Sequence, residues 1–561
     1  MRVAPKIDRI RNMETEHMSA ESLQLQYSMD IPLLLSNLLH GAARHHHESG
    51  IVSVIDGITH RHSYADCELR ARKVAQVLGE LGVQVGDRVG TLAWNDHRHY
   101  ELYFGVSGMG AICHTINPRL FLEQILHIIN DAQDRIVVFS PDFLPLVTQI
   151  ADQCPSVMQW IMLGEPAAGM HIGGKQPLNY EALLARHDGR YAWPVLDERS
   201  AAFLCYTSGT TGNPKGVVYS HRATVLHAYA CALPDSHNVS ACEVVMPVVP
   251  MFHANAWEAP FSVTLTGARL VLPGARLDGE SLYRLIEAEG VTFAIGVPTV
   301  WFSLLRHMQD RGLRFSTLRR LLLGGAATPP AMIEAYAELG VELYQGWGMT
   351  ETAALTTCAQ PLQSQAALPP TERRKAIFAT AGRIVAGADM RIVDDNGQPL
   401  PWDGSAGHLQ VRAPWATARY FKATESALQD GWLPTGDLAQ ISSDGFMRLT
   451  DRSKDVIKSG GEWISSVEIE NIAAGVPGVQ AAACIAASHP KWGERPLLIV
   501  ELKQGSELTE QEVLQHFEGR IAKWSRPDAV LFVDSIPLTA TGKLFKLKLR
   551  ERYGNYLMNR L

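Results

Sequence analysis

The chain reads as an α/β protein: a large N-terminal domain of mostly parallel sheets with helices, followed by a small mobile α/β C-terminal domain. Three observations predict this. Short apolar runs alternate with amphipathic stretches of helical period through most of the chain, the pattern of parallel strands joined by crossover helices. At 561 residues the chain is too long for one ordinary domain. A charged and then glycine-rich string, Asp451 to Trp463, separates the long α/β stretch from a shorter one.

The elements follow in order. Residues 1–28 are polar, carry no apolar core for a secretory signal and are expected to form a disordered extension, with Met18 or Met29 as alternative starts. Residues 31–43 predict an apolar-faced helix. The Arg44–Glu48 string holds three adjacent histidines, which cannot share one helix face and so predict a solvated helix end rather than a metal site. A strand is expected at 51–55, a long amphipathic helix at 64–81 and a strand at 88–93. Helices near 98–109 and 122–132, a strand at 136–139 and a helix near 142–152 come next. Apolar runs at 201–205 and 216–219 predict two strands around a polar loop, and a helix follows from about Arg222. In the C-terminal part Ser465 or Ser466 caps a helix, and strands are expected at 479–486, 497–502 and 529–533. Thr509 and Glu512 form a capping box for a helix reaching about Lys523.

Composition narrows the class. The chain is 46% apolar and 19% charged, normal for a globular protein. Its net charge of −7 argues against a nucleic-acid partner. Eight scattered cysteines without a C-x-x-C pair fit a reducing, cytoplasmic compartment, and no apolar run reaches membrane-spanning length.

The loop Thr207-Ser208-Gly209-Thr210-Thr211-Gly212-Asn213-Pro214-Lys215 stacks hydroxyls, glycines and one cation. Bare backbone N–H groups, hydroxyls and a lysine are what polyphosphate oxygens need. It is not a Walker A loop: six residues separate Gly209 from Lys215, and the exit is a strand. Further candidates follow. His253, Ala254 and Trp257 stand in an apolar loop. Leu321-Leu-Leu-Gly324-Gly325 is a buried strand entering a glycine turn that lets backbone approach a flat ligand. Gln345-Gly346-Trp347-Gly348-Met349-Thr350-Glu351 offers an aromatic to stack on a base, a hydroxyl for phosphate and a hard oxygen for Mg²⁺. Asp437 ends Thr-Gly-Asp. Arg452, Lys454, Lys458, Gly460, Gly461 and Trp463 fill the charged string, and Lys543 ends Pro-Leu-Thr-Ala-Thr-Gly-Lys.

These stretches, in this order, resemble the adenylate-forming superfamily of acyl-CoA synthetases, peptide-synthetase adenylation domains and luciferases. The 250–257 loop, with 460–465 and 491–496, resembles the medium- to long-chain fatty acyl-CoA synthetase branch. Tryptophan at 347 departs from the superfamily's usual tyrosine. The resemblance implies a large domain at 29–450, a hinge at 451–455 with Lys454 as pivot, and a small domain at 456–561. It implies ATP and Mg²⁺, with a small carboxylic acid and coenzyme A as co-substrates, and admits a homodimer. By the same resemblance Asp437 and Arg452 hold ribose, Thr207 and Glu351 hold Mg²⁺, and Lys543 reaches the α-phosphate and acyl carboxylate. His253 lies near the reacting groups and Trp257 guards the acyl tunnel. Lys458, Gly460, Gly461 and Trp463 face the nucleotide or acyl site in one domain orientation. A carrier-protein-loading enzyme, a ligase for short or substituted acids, a luciferase-like oxygenase and a non-enzymatic nucleotide binder share parts of this pattern.

Overall fold

A computed structural model describes residues 29–207, 213–326, 328–378, 380–460, 462–538 and 544–560. The expected extension at 1–28 lies outside them, as do Ser208, Gly209, Thr210, Thr211, Gly212, Gly461 and Lys543.

The N-terminal part carries two largely parallel sheets. The first runs Leu178–Asn179, Gln159–Met162, Ile136–Phe139, Arg88–Leu92, Ile112–Thr115, Ala201–Tyr206 and Gly216–Ser220. It is parallel except for the final hairpin, whose two strands flank the phosphate loop. The second has a parallel centre of Glu342–Trp347, Arg320–Leu323, Phe293–Gly296, Val244–Pro247, Arg269–Leu272 and Gly50–Ile55, with antiparallel strands at both edges. Strands such as Ile136–Phe139 and Phe293–Gly296 are buried along their whole length, because helices cover both faces of a parallel sheet. A four-stranded antiparallel sheet, Asp389–Val393 to Met447–Arg452, follows. The last sheet pairs Glu462–Ile464, Ile457–Ser459, Gly493–Leu502, Val479–His489 and Ala529–Val533 around its own apolar core. The architecture is therefore the expected one, a large α/β domain and a smaller C-terminal domain.

Local chemistry sets the element ends. Ser63 and Asp66 form a reciprocal capping box on Tyr64–Glu80, and Ser465 caps Ser466–Ala474. Two expected helices are shorter than their patterns. The 142–152 stretch is a helix at Leu144–Ile150 between two 3₁₀ turns. The helix behind Thr509 stops at Gln515. Phe517 then turns fully into the core, and Gly519 takes a left-handed φ of 72°.

His221 begins the helix behind the phosphate-loop hairpin, His221–Ala232. Its Nδ1 accepts the Leu35 N–H at 3.3 Å, so that nitrogen is unprotonated. Burial pushes the pKa down to about 4. Below about pH 6.5 the unfolded chain takes up a proton that the folded chain refuses. The stability is therefore complete above pH 6.5 and falls towards pH 4, by about 2 kcal/mol at pH 5. His221→Gln should flatten the fall in melting temperature between pH 7 and pH 5. Equal falls in both chains would refute a neutral buried ring.

Candidate active site

A cavity of about 430 Å³ opens where the carboxyl ends of strands from both parallel sheets meet residues 452–455 and the C-terminal domain. Strand Ala201–Tyr206 delivers Thr207, Arg320–Leu323 delivers Gly324 and Gly325, and Glu342–Trp347 delivers Trp347 to Glu351. Ligands of open parallel sheets commonly bind at these ends. Lys215, His253, Ala254, Trp257, Gly346, Thr350, Arg452 and Lys454 also line it. Gln345 stands one residue before this wall, with its side-chain oxygen buried.

The substitution at 347 has a structural consequence. The Trp347 ring packs into the core of the antiparallel sheet, and its Nε1–H donates to Asp437 Oδ2 at 3.1 Å. Arg452 Nε pairs with Asp437 Oδ1 at 2.7 Å. Both oxygens of this buried carboxylate are thus held, one by Trp347 and one by Arg452, and both of these partners line the cavity. Lys454 follows two residues later. Burial lowers its pKa, opposed in part by Asp455.

Glu351 is only 9% exposed, and its Oε1 accepts a 2.8 Å hydrogen bond from the Tyr420 hydroxyl. Lys215 Nζ lies 4.9 Å from the Tyr420 ring centroid. The segment around Tyr420 straps these groups together. Thr417 N–H donates to the Glu351 carbonyl, and Phe421 N–H donates to the Gly216 carbonyl at the exit of the phosphate loop. Across the loop's base, Thr207 Oγ1 accepts the Lys215 N–H at 3.1 Å.

The 254–258 stretch is not the plain loop its composition suggests. Ala254, Asn255, Ala256, Trp257 and Glu258 all have φ between 39° and 67°, five consecutive left-handed residues without a glycine. Such backbone costs about 1–2 kcal/mol per residue, so buried contacts must hold it. Cys205 Sγ donates to Asn255 Oδ1 at 3.2 Å, and all five residues are buried. The Trp257 ring lies close against the glycine turn: a Cβ at 324 would stand 3.0 Å from it. Glycine at 324 is what allows the indole to close there.

From the C-terminal domain, Leu544, Phe545, Lys546, Leu547 and Arg550 complete the wall. Lys546 Nζ is buried against Ser466 Oγ at 2.6 Å and Glu470 at 2.8 Å, and Ser466 donates to Asp451 at the end of the antiparallel sheet. Burial works against its charge, but the Glu470 and Asp451 carboxylates outweigh that and raise its pKa. The other expected C-terminal segment is not at the cavity. Lys458 N–H donates to Glu494, Gly460 packs beneath Trp492, and Trp463 stands edge-on to His408 with centroids 5.9 Å apart.

Residues 40–421 match the family described as "AMP-binding enzyme", and residues 468–543 match "AMP-binding enzyme C-terminal domain". The chain belongs to the AMP-binding enzyme family. It is 49% identical over 535 residues to a 3-methylmercaptopropionyl-CoA ligase of Ruegeria lacuscaerulensis, covering 94% of this chain and 99% of that one. It is 47% identical over 530 residues to a medium-chain-fatty-acid–CoA ligase of Ectopseudomonas oleovorans, covering 94% and 97%. The crystal structure of the anthranilate CoA ligase AuaEII with anthranoyl-AMP superposes with a TM-score of 0.81 at 25% identity, over 94% of this chain and 99% of that one.

In this AMP-binding enzyme the donor set fits Mg²⁺. Among the described residues no three His, Cys, Asp or Glu side chains converge as a metal cage. Two carboxylates line the cavity; Asp455 is paired with Arg550, and Glu351 stands with the Thr207 hydroxyl among cations suited to phosphates. Mg²⁺ is ordinarily held this way, by one or two carboxylates and the substrate's phosphate oxygens. Sequence reasoning missed Tyr420, Lys546 and Arg550 in this AMP-binding enzyme. None stands in a glycine- or hydroxyl-rich string, so no local signal marks them.

Proposed function

We propose that this enzyme is an AMP- and pyrophosphate-forming acid:CoA ligase acting on medium- or long-chain fatty acids. The observation that carries this reading is one cavity whose lining is of two kinds. One part is polar, with Thr207, Lys215, Thr350, Glu351 and Arg452, the last paired with Asp437 behind it. The other is apolar, with Ala254, Trp257, Leu322 and Leu355. ATP suits the first and an alkyl chain the second.

A carboxylate oxygen of the acid attacks the α-phosphorus of ATP, and the bond to pyrophosphate breaks. The thiol of coenzyme A then attacks the acyl carbon, loses its proton to solvent and displaces AMP. Step one brings two anions together, so its chief demand is charge neutralisation. Lys215, Lys543 and the amides and hydroxyls of the phosphate loop, Ser208 to Gly212, meet that demand. Asp437 and Arg452 orient the ribose, Gly325, Gln345, Gly346 and Trp347 receive the adenine, and His253 sits beside the acid carboxylate. Mg²⁺, held by Thr207 and Glu351, supplies additional positive charge when bound. The C-terminal domain takes two poses about Lys454. The present one brings 544–550 to the cavity; the second brings Lys458, Gly460, Gly461 and Trp463 there for thioester formation.

The relatives named above take acids of different size, so the test is an acid panel. Saturated acids from propionate to palmitate, together with 3-methylmercaptopropionate, are supplied with ATP and coenzyme A, and AMP is measured. The highest kcat/KM should fall on a medium- or long-chain acid. A maximum on propionate or the methylthio acid would refute the chain-length assignment. Replacing coenzyme A by a phosphopantetheinyl carrier should abolish thioester formation. Trp257→Ala should shift the preferred chain length and change the ATP KM less than twofold, since one methylene in an apolar pocket is worth about tenfold or more. An unchanged acid profile with a raised ATP KM would remove Trp257 from the acid-binding part.

A further inference from the structure

The left-handed turn that carries Trp257 is the longest run of positive-φ non-glycine residues among the described residues. Two of its members, Ala254 and Ala256, are small, and asparagine tolerates this conformation at 255. Glu258 is the costly member. At φ 67°, ψ −2° a glycine would sit without strain. Position 258 instead carries a carboxylate, 1% exposed, in an apolar core.

That carboxylate has one partner among the described residues. Glu258 Oε2 lies 3.0 Å from His227 Nδ1, while Oε1 is buried without a hydrogen bond. His227 is fully buried on helix His221–Ala232. Its Nε2 lies 2.7 Å from the Leu355 carbonyl oxygen, and its ring stacks on Trp415 with centroids 4.9 Å apart. A carbonyl only accepts, so Nε2 carries a hydrogen, and the Nδ1 side shares its proton with the carboxylate. One imidazole therefore ties together two walls of the cavity's apolar part: the residue directly after Trp257, and the backbone of Leu355. Neither His227 nor Glu258 lines the cavity itself.

We propose that His227 is a positioning residue that, through Glu258, clamps the left-handed turn with the Trp257 ring closed over Gly324 and so sets which acids the site accepts. This rests on the reading of the apolar part around Trp257 as the acid-binding part. Removing the clamp frees the turn to relax towards ordinary backbone, and the indole leaves the glycine turn.

The test uses the full chain labelled with 5-fluorotryptophan. The ¹⁹F resonance of Trp257 is identified among the twelve tryptophans by its loss in Trp257→Phe. His227→Leu leaves a buried carboxylate and is prone to misfold, so the working variants are Glu258→Ala and the double variant His227→Leu/Glu258→Ala, in which the left-handed strain at 258 that a glycine would relieve is kept. In both, the Trp257 resonance should shift or split. The ratio of kcat/KM between a long and a short acid should change by about tenfold, with ATP KM within about twofold. Glu258→Gln keeps an acceptor for His227 and should return the resonance towards its wild-type position. A Trp257 resonance unmoved in folded Glu258→Ala overturns the clamp, whatever the acid profile does. A moved resonance with an unchanged acid ratio upholds the clamp and instead overturns the placement of the acid beside Trp257.

Discussion

Lys543→Ala should slow pyrophosphate release from ATP and acid by about 10²–10³-fold, the usual loss when one preorganised charge is withdrawn from a developing anion. It should leave thioester formation from supplied acyl-adenylate within about threefold of wild type, because that step has no second anion to neutralise. Lys543 itself lies outside the described residues, but Leu544 and Phe545 directly after it line the cavity, and Lys546 anchors that segment to Ser466 and Glu470. A cation presented from this segment would occupy the approach a thiol needs, which is why the two half-reactions should separate. The measurement is pyrophosphate release beside acyl-CoA formation from synthetic acyl-adenylate. Equal slowing of both would show that Lys543 acts in one shared conformation. The pivot has its own counterpart: Lys454→Pro fixes φ near −65° and should impair one half-reaction while sparing the other.

Glu351→Gln should lower the overall rate by about 10²-fold, the order expected when a charged group acting on the transition state is lost. It should also raise the Mg²⁺ concentration needed for half-maximal ATP binding, since an amide is a weaker ligand for a hard cation. Equilibrium ATP binding titrated against Mg²⁺ is the decisive readout because it does not depend on turnover. Wild-type Mg²⁺ dependence would reject the metal role. Tyr420→Phe provides the graded companion. It removes one hydrogen bond to Glu351 Oε1 yet keeps the ring beneath Lys215. Its Mg²⁺ requirement should therefore rise in the same direction but less, by an amount worth about 1–2 kcal/mol.

The sequence alone determined the fold class and the two-part organisation, and it marked the Thr207–Lys215 loop, the Gln345–Glu351 string and the Thr-Gly-Asp turn as candidates. Each of these is written in residues adjacent in the chain. Alternating apolar runs specify buried parallel strands, and glycines and hydroxyls specify backbone that can approach phosphate. Even the departure at Trp347 was visible, though not its meaning. Its indole N–H reaches Asp437 across 90 residues of chain, a contact that no local pattern announces. Tertiary structure alone decided such meetings. Tyr420 becomes a site residue only because the strap after Trp415 crosses the phosphate-loop exit and reaches Glu351, 69 residues away. The left-handed turn at 254–258 has no glycine to betray it; it is buried, and its Glu258 meets His227 on another helix. Likewise, that Lys546 lines the cavity while Trp463 stands against His408 is settled by how the C-terminal domain packs. Local sequence encodes the backbone a residue prefers and the atoms it offers. Which atoms meet is set by the packing of whole sheets and domains, where burial outweighs local preference.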